Sequence, residues 1–575
     1  MEKRVLIAVF LSFLVIYVYQ ALMPAPQERQ AAPAPGRGPA GAGAPPAVSP
    51  VQPGQATGAP AAGAPAGTVP QAPAAAPLIA DTQERDVVLE TDAVRALFST
   101  RGGVLKRWTL KRYSEAGHQL DLVPQPIPRG ATFPFSVRFD DKTIGGVLDA
   151  ALFRPSMSDT PQGRALTLEY QDQSGIRARK TFVLAPHSYV LNFSITANQG
   201  ERALIPMVNL GPALGSGRNV SGNGSYTLPR AIFSREGKVS RVVAGKLGAP
   251  TVEEGTFEFA GADDHYFLSA LMLPRKPLRV EYRAVTVPGP TEAEAQHFVQ
   301  YDVRFAAPPE NERWFLGPKD FDVLAAIDRS MTRAIDFGIF AWLVVPLLRA
   351  LKWINTGVGN YGWSIIILTV LINLVMFPLR HKSVVSMRKL QEIQPQIKAI
   401  QDRYAKLKMT DPGRQKMNVE MMNLYREKGV NPASGCVPML LTFPVLFALY
   451  ALLSVAIELR GAPWVLWIRD LSLHDPLYIT PVLMGGTMFW QQRLTPMNVD
   501  PVQQKIFMLT PIMFTFFFLW APAGVVLYWF VSNLWAIGQQ LLTNRLIGPP
   551  PQHTVRPPAE RKVKKVGSGK SDQAR

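Results

Sequence analysis

The chain has one cysteine, Cys436, among 575 residues. No intramolecular disulfide can form, and a zinc cluster of cysteines is excluded. Acidic residues are outnumbered, 43 against 61 basic, and the net charge of +18 admits nucleic acid, anionic lipid or a ribosome as partner classes. A complete phosphate-binding loop is also missing. Gly567-Ser568-Gly569-Lys570-Ser571 resembles the end of one, but its first glycine falls at Lys564 and no strand precedes it. Asp263-Asp264-His265 is too short a cluster to name a metal site, because no further ligands can be identified; such a run in a β-domain is usually a turn. Nothing in the chain spells out a catalytic centre, a metal site or a cofactor site.

What is present is hydrophobic, in two different patterns. A basic start, Lys3-Arg4, precedes an apolar run, and residues 1–23 read as an uncleaved signal anchor long enough to span a bilayer. Residues 24–79 are rich in Ala, Pro, Gly and Gln and form an extended linker. Residues 80–320 alternate at period two, as in Leu166-x-Leu168-x-Tyr170, Tyr189-x-Leu191-x-Phe193-x-Ile195 and Val299-x-Tyr301-x-Val303-x-Phe305. Alternation marks strands with one buried face, and so many strands predict a large β-sandwich. The linker makes this domain separable from the membrane part.

From residue 335 the apolar runs lengthen. Spans are expected near 361–377, 437–457, 478–493, 506–520 and 525–542, the shorter ones tilted or in a thinned bilayer. The stretch 335–356 is apolar but holds Pro346, Arg349 and Lys352, so it is either a span or an interfacial helix. Charge decides. Between Arg380 and Lys428 stand twelve basic and five acidic residues, and the tail 548–575 is basic as well. Positive loops stay cytoplasmic. With Lys3 and Arg4 inside and the β-domain exported, a single span must bring the basic loop back. The stretch 335–356 therefore lies along the outer interface, and the chain has six spans with both termini inside.

The basic loop, 380–430, has the pattern of a helical hairpin. Ile393, Ile397, Ile400, Tyr404 and Leu407 form one stripe, and Met417, Met421 and Leu424 form another after the break Thr410-Asp411-Pro412-Gly413. The residues alone favour a self-satisfied pair with a solvated basic face over a docking arm. After it come Val430-Asn431-Pro432-x-x-Gly435-Cys436-x-Pro438, then Asp475-Pro476, Gln503-Gln504-Lys505 and Gly524-x-x-Leu527-Tyr528-Trp529-x-x-Ser532-Asn533. These motifs resemble the YidC/Oxa/Albino membrane-protein insertases, most strongly over 335–547, and the anchor, linker and exported β-domain match the Gram-negative layout.

The resemblance implies a bacterial inner-membrane protein with a five-helix insertase core at 357–547 and a periplasmic β-supersandwich. It implies insertion of nascent integral membrane proteins, and help with their folding, through a polar groove open to cytoplasm and lipid. No nucleotide or other cofactor is implied, and no enzymatic step. The implied partners are the Sec translocon (SecYEG with SecDF-YajC), the ribosome and the phospholipid bilayer. Many members carry an arginine in the first core helix five residues before a proline. Here the proline is Pro378 and the matching residue is Asn373, so the charge is absent. Thr369 lies one turn earlier on the same face, and Arg380 about 10 Å further along it. Asn373 either lines the groove or bonds a neighbouring helix. Tyr528, Ser532, Trp535 and Gln539 recur at helical spacing in the last span, flanked by Trp529 and Asn533, and Trp529 matches a client-facing position. Phe443, Leu446, Phe514 and Phe518 are apolar-slide candidates, and plain lipid contact explains them equally well.

Two other functions fit parts of the chain. A membrane-anchored periplasmic protein that binds or acts on carbohydrate would rest on the β-domain alone and leave five further spans unexplained. A small-molecule transporter would show duplicated halves, and none are seen.

The topology has a direct check. Single cysteines at Ser194 and Lys406, in a Cys436→Ser background, should label from opposite sides of the membrane. Labelling of Lys406→Cys from outside overturns the six-span arrangement.

Overall fold

The computed structural model describes residues 76–547 except 116, 126, 128–131, 212–227, 248–249, 275, 288–295, 405–412, 430–436 and 495–500. The signal anchor, all but the end of the linker, the hairpin turn and the basic tail lie outside the described residues.

The alternating runs fall on antiparallel strands. Gly163–Asp172, Ile176–Leu184 and Val190–Gln199 are neighbours in an eleven-stranded sheet. A five-stranded sheet and a four-stranded sheet both pack against it. From the five-stranded sheet, Tyr301 and Tyr282 reach across, Tyr301 Oη to Ser269 and Tyr282 Oη to the Ile232 carbonyl. From the four-stranded sheet, Phe98 packs on Phe182 with ring centroids 4.5 Å apart, and Trp108 Nε1 donates to the Leu316 carbonyl at 2.8 Å. At these three rings the buried polar end is matched by an acceptor, as burial favours. One short helix, α1 (Lys142–Ala150), is capped by Asp141.

The central strands of the large sheet escape the alternation. Phe259–Asp263 and Phe267–Met272 are buried on both faces. Small residues allow it: a Cβ on Gly261 would stand 2.0 Å from the Ser269 carbonyl oxygen. The turn between them is the Asp263-Asp264-His265 cluster. Asp264 accepts from the amides of Tyr266 and Phe267, while Asp263 is held by Arg230 at 2.8 Å and Lys319 at 2.9 Å. These acids close a turn and a buried ion network.

The last strand, Glu312–Pro318, runs into α2 (Phe321–Ile327), two short 3-10 turns and α3 (Ala341–Val358), with no flexible spacer. Gly359, in the left-handed region, ends α3, and Asn360 caps α4 (Tyr361–Glu392) by accepting from the Trp363 amide. α4 continues as helix for fifteen residues beyond 377, through Pro378 into the basic segment. α5 (Gln394–Arg403) and α6 (Gly413–Glu427) form the hairpin. Ile393 and Ile397 pack on Met421, Leu424 and Tyr425, and Arg403 pairs with Glu420 at 2.6 Å. α7 (Val437–Val455), α8 (Ile479–Leu494), α9 (Pro501–Phe518) and α10 (Ala523–Ile547) complete the helical part. Among the described residues, three stretches are long and apolar enough to cross a membrane, Gly338–Val358, Tyr361–Lys382 and Ala523–Leu546, and Phe443–Val455 and Met508–Phe518 are shorter apolar helices.

The β-domain is fastened to these helices at one polar joint. Lys352 of α3 lies 2.5 Å from Asp322, 3.2 Å from Glu458 and 3.5 Å from Asp320. Arg460 is buried over the ring of Phe267 and lies 3.6 Å from Glu115. His265 meets the Ser454 carbonyl at the end of α7 at 2.8 Å. A carbonyl only accepts, so Nε2 carries the proton. Burial pushes the His265 pKa down to about 4, and the ring is a neutral strut. The linker on the N-terminal side thus has no counterpart on the C-terminal side, and the domain is less separable than the linker alone implies.

Replacing Lys352 with Met should destabilise this joint by about 2–4 kcal/mol, because Glu458 is then buried without its partner. Burial pushes the Glu458 carboxyl up and Lys352 draws it down. Without Lys352 the folded protein holds a proton that the unfolded chain has released, so folded stability falls as pH rises through that raised pKa. The variant's deficit should be smaller at pH 5 than at pH 8, measured by thermal unfolding in detergent, and Glu458→Gln should recover part of it. An equal deficit at both pH values rules out this account.

Candidate functional site

The apolar helices pack as a row. α4 packs on α10, α10 on α8 and α8 on α9, while α7 packs on both α4 and α10. The approach of α8 to α9 depends on Gly485, where a Cβ would stand 1.9 Å from Thr515 Oγ1. Asp475 closes the turn that leads into α8; its carboxylate accepts from the Leu477 and Thr480 amides and from Trp467 Nε1. The Asp475-Pro476 motif is spent on this turn.

A polar stripe runs down α4 where it faces α10. Thr369 and Asn373 are 1% and 2% exposed. Thr369 Oγ1 donates to the Ile365 carbonyl at 2.6 Å, and Asn373 Nδ2 donates to the Thr369 carbonyl at 2.8 Å. Asn373 Oδ1 accepts from Arg380 Nη1 at 2.8 Å. Seven residues are two helical turns, so Arg380 lies on the same face and its long side chain folds back along the helix. Asn373 therefore bonds its own helix and Arg380, not a neighbouring helix. Across the interface, Tyr528 of α10 is buried within electrostatic reach of Arg380, and half-buried Ser532 follows one turn later.

The other candidates separate into three groups. Trp529 is half-buried against α9, with its ring 5.5 Å from Phe514 and 5.0 Å from Phe518. Phe443 is exposed on α7, stacked on Phe447, which itself stacks on Phe340; Leu446, half-buried, packs into the main core. Asn533 points elsewhere, its Nδ2 donating to the Met484 carbonyl and to Thr487 Oγ1 of α8. It stands one helical step from Ser532, about 100° round the helix, and that step turns it from the α4 interface to the α8 interface. Phe447 went unnamed in the sequence reading, although its spacing of four from Phe443 places it on the same exposed stripe.

Arg380, Asn373, Thr369 and Tyr528 are thus one polar cluster inside an apolar row of helices, and Phe514, Phe518 and Trp529 are an aromatic cluster beside it. No group of three or more His, Cys, Asp or Glu that could hold a metal occurs among the described residues.

Comparison with known proteins covers both halves of the chain. Residues 353–549 match the family described as 60Kd inner membrane protein, and residues 86–350 match the YidC periplasmic domain. The membrane protein insertase YidC of Geotalea daltonii is 34% identical over 567 residues, spanning 95% of this chain and 99% of the relative. That of Geobacter metallireducens is 35% identical over 578 residues, spanning 95% and 99%. A crystal structure of an active YidC insertase with its first transmembrane domain resolved is 17% identical, with a TM-score of 0.34, over 82% of this chain and 95% of that one. Identity at this level over nearly the whole length, across the β-domain and the helical row alike, establishes that the chain belongs to the YidC family of membrane protein insertases.

Proposed function

We propose that this inner-membrane protein inserts nascent integral membrane proteins by passing a client's polar flank along the Arg380–Asn373–Tyr528 cluster while its apolar segment moves over the aromatic faces of α7 and α9 into lipid. The observation that carries the reading is the Arg380–Asn373 hydrogen bond, which holds a guanidinium against a buried amide where α4 leaves its apolar stretch. A client helix of about twenty apolar residues already prefers lipid, each central Leu or Ile contributing about −0.3 to −0.6 kcal/mol. The barrier is the flank: one charge at the bilayer centre costs about 3 kcal/mol or more. A polar path part-way through shortens the apolar crossing, so no covalent step and no nucleotide are required.

The wider reading follows the charge pattern. Six spans put both termini in the cytoplasm and the β-domain in the periplasm. α3 lies on the periplasmic interface, where Trp342 and Trp353, 70% and 74% exposed, flank Arg349 on one face, as in an interfacial aromatic belt. The basic tail meets the ribosome, and the helical row works alone or beside the Sec translocon as insertase and folding chaperone, in contact with phospholipid. The carbohydrate-active alternative rests on the β-domain alone, whereas the family match spans both halves.

Two experiments test this. Insertion is measured with two clients that differ only in the charge of the translocated flank. Arg380→Leu should lower insertion of the acidic-flank client about five- to tenfold more than that of the neutral one, on the charge cost above. Asn373→Leu should give a smaller defect. The double variant should be no worse than Arg380→Leu, because both changes break one bond. Equal loss for both clients would make Arg380 a topology anchor. Separately, truncation after Gly548 should weaken ribosome binding in detergent, and more so at low salt, since exposed charges are screened over about 8 Å at physiological ionic strength. Unchanged affinity would assign the tail to anionic lipid.

A further inference from the structure

The chain between α7 and α8 folds into a tight turn whose depth is fixed at two points. Trp464 rests on the first turn of α4. Its ring lies 6.1 Å from that of Trp363, and a Cβ on Gly362 would stand 2.1 Å from its Cδ1. Asn360 Nδ2 donates to the Pro463 and Trp464 carbonyls, each at 3.2 Å. Further on, the amides of Ala523 and Gly524, at the start of α10, donate to the carbonyls of Leu473 and Leu471. These are the first turns of two stretches long and apolar enough to cross a membrane, Tyr361–Lys382 and Ala523–Leu546. Residues 463–473 therefore lie where both helices enter hydrocarbon, at the end away from Arg380 and Arg545.

The tip of this segment is not what a water-facing turn selects. The Ile468 amide donates to the Val465 carbonyl at 3.1 Å, and the Trp464 amide to the Ile468 carbonyl at 3.0 Å. Leu466 takes the first central place at φ 53, in the left-handed region that glycine or asparagine ordinarily fills. A leucine there costs about 1–2 kcal/mol of backbone strain. Its side chain is 82% exposed, so no packing within the protein offsets that cost. Two residues of chain reach at most about 7 Å, which holds Leu466 near the level of Trp464. Trp363, on which the Trp464 ring rests, is itself 47% exposed. Arg469, within the same anchored segment, is exposed too. An apolar tip, a tryptophan and a cation at the start of two spans match the boundary between acyl chains and headgroups. That boundary covers the tip without a partner protein.

We propose that the 464–468 turn is inserted into the periplasmic phospholipid leaflet, with Leu466 among the first acyl segments and Arg469 at the level of the phosphates. Burying a leucine fully contributes about 1.5–3 kcal/mol, enough to offset the strained backbone that presents it. Because the segment is bonded to the starts of both α4 and α10, the inserted tip sets the height of the seam that carries Thr369, Asn373 and Tyr528. Insertion follows from the helix starts alone. The choice of leaflet rests on the topology proposed above, which labelling at Ser194 and Lys406 checks separately.

The test places a nitroxide on the full-length protein, in a Cys436→Ser background, in nanodiscs of phosphatidylethanolamine and phosphatidylglycerol. Collisions with oxygen, which concentrates in hydrocarbon, are compared with those of a nickel chelate, which stays in water. Two reference sites set the extremes: Val375→Cys, 77% exposed on the α4 span, and Asp159→Cys in the β-domain, where the side chain is 88% exposed. The label at Leu466→Cys should favour oxygen, as at Val375→Cys. A preference for nickel, as at Asp159→Cys, overturns the proposal. So does exclusion of both reagents, which would put a protein surface over the tip. Moved to Pro463→Cys, exposed on the same segment, the label reads what the leucine itself does. There Leu466→Asp should lower the oxygen-to-nickel ratio about threefold, since aspartate resists the hydrocarbon that leucine enters. Leu466→Gly should lower it as well, while its thermal midpoint holds or rises, because glycine takes the left-handed conformation without strain. A ratio that neither variant moves means Leu466 does not hold the turn in the leaflet, and the proposal fails.

Discussion

Hydrocarbon offers no hydrogen bonds, and the helical half of this protein is arranged around that constraint. Each polar side chain in the row of helices must find its partner inside the protein or leave the membrane. Thr369 and Thr543 return their hydroxyls to carbonyls one turn back, which any helix can provide. Asn533 uses the neighbouring helix α8. Asn373 needs more, since a carboxamide has both donors and an acceptor; its Nδ2 donates to its own helix and its Oδ1 accepts from Arg380. The cation is thereby tied to a depth it would otherwise leave for water. Along one stripe of α10, Ser532 Oγ, Trp535 Nε1 and Gln539 Nε2 are buried without such a partner.

Outside the membrane the same rule is met with charge in place of backbone. Asp263 is fully buried between Arg230 and Lys319, and Lys180 donates its ammonium to the carbonyls of Gly102, Gly103 and Phe135. Breaking such a pair costs more than the pair contributes, because one charge is then left unmatched. The joint around Lys352, Arg460 and His265 is built from the same material, and it ends on α7, the helix that carries Phe443 and Leu446. Whatever displaces the β-domain therefore acts on the end of α7.

Much of this was legible in the sequence, and the failures have physical causes. Period-two runs such as Tyr189 to Ile195 gave the strands, because one face of each is covered and the other is wet. The strands Phe259–Asp263 and Phe267–Met272 carry no such signal, since both faces are covered. The expected span near 361–377 is shorter than the helix α4 because hydropathy marks where hydrocarbon stops, while a helix stops only when its backbone bonds do. The return of Arg380 to Asn373 followed from spacing alone, as a contact within one helix. The joint did not, because Lys352, Asp322 and Glu458 are distant in sequence and nothing local distinguishes them from solvated charges. Asn533 was grouped with Ser532 by motif, where helical phase separates them.

An asparagine at position 373, where the resemblance implies an arginine, then has a physical reading. An arginine rooted there would place its charge two turns deeper than Arg380 and would have to be desolvated with no built-in acceptor. Rooting the guanidinium at Arg380, about 10 Å nearer the end of the apolar stretch, keeps the backbone attachment close to water and lets the long stem carry the charge back. Asn373 supplies the acceptor that makes the return worthwhile. The cost of burying the charge falls, and so does the depth to which its potential reaches. On the client route proposed above, such an arrangement gives up some attraction for an acidic flank at depth and keeps it near the entrance, where a flank first has to leave water.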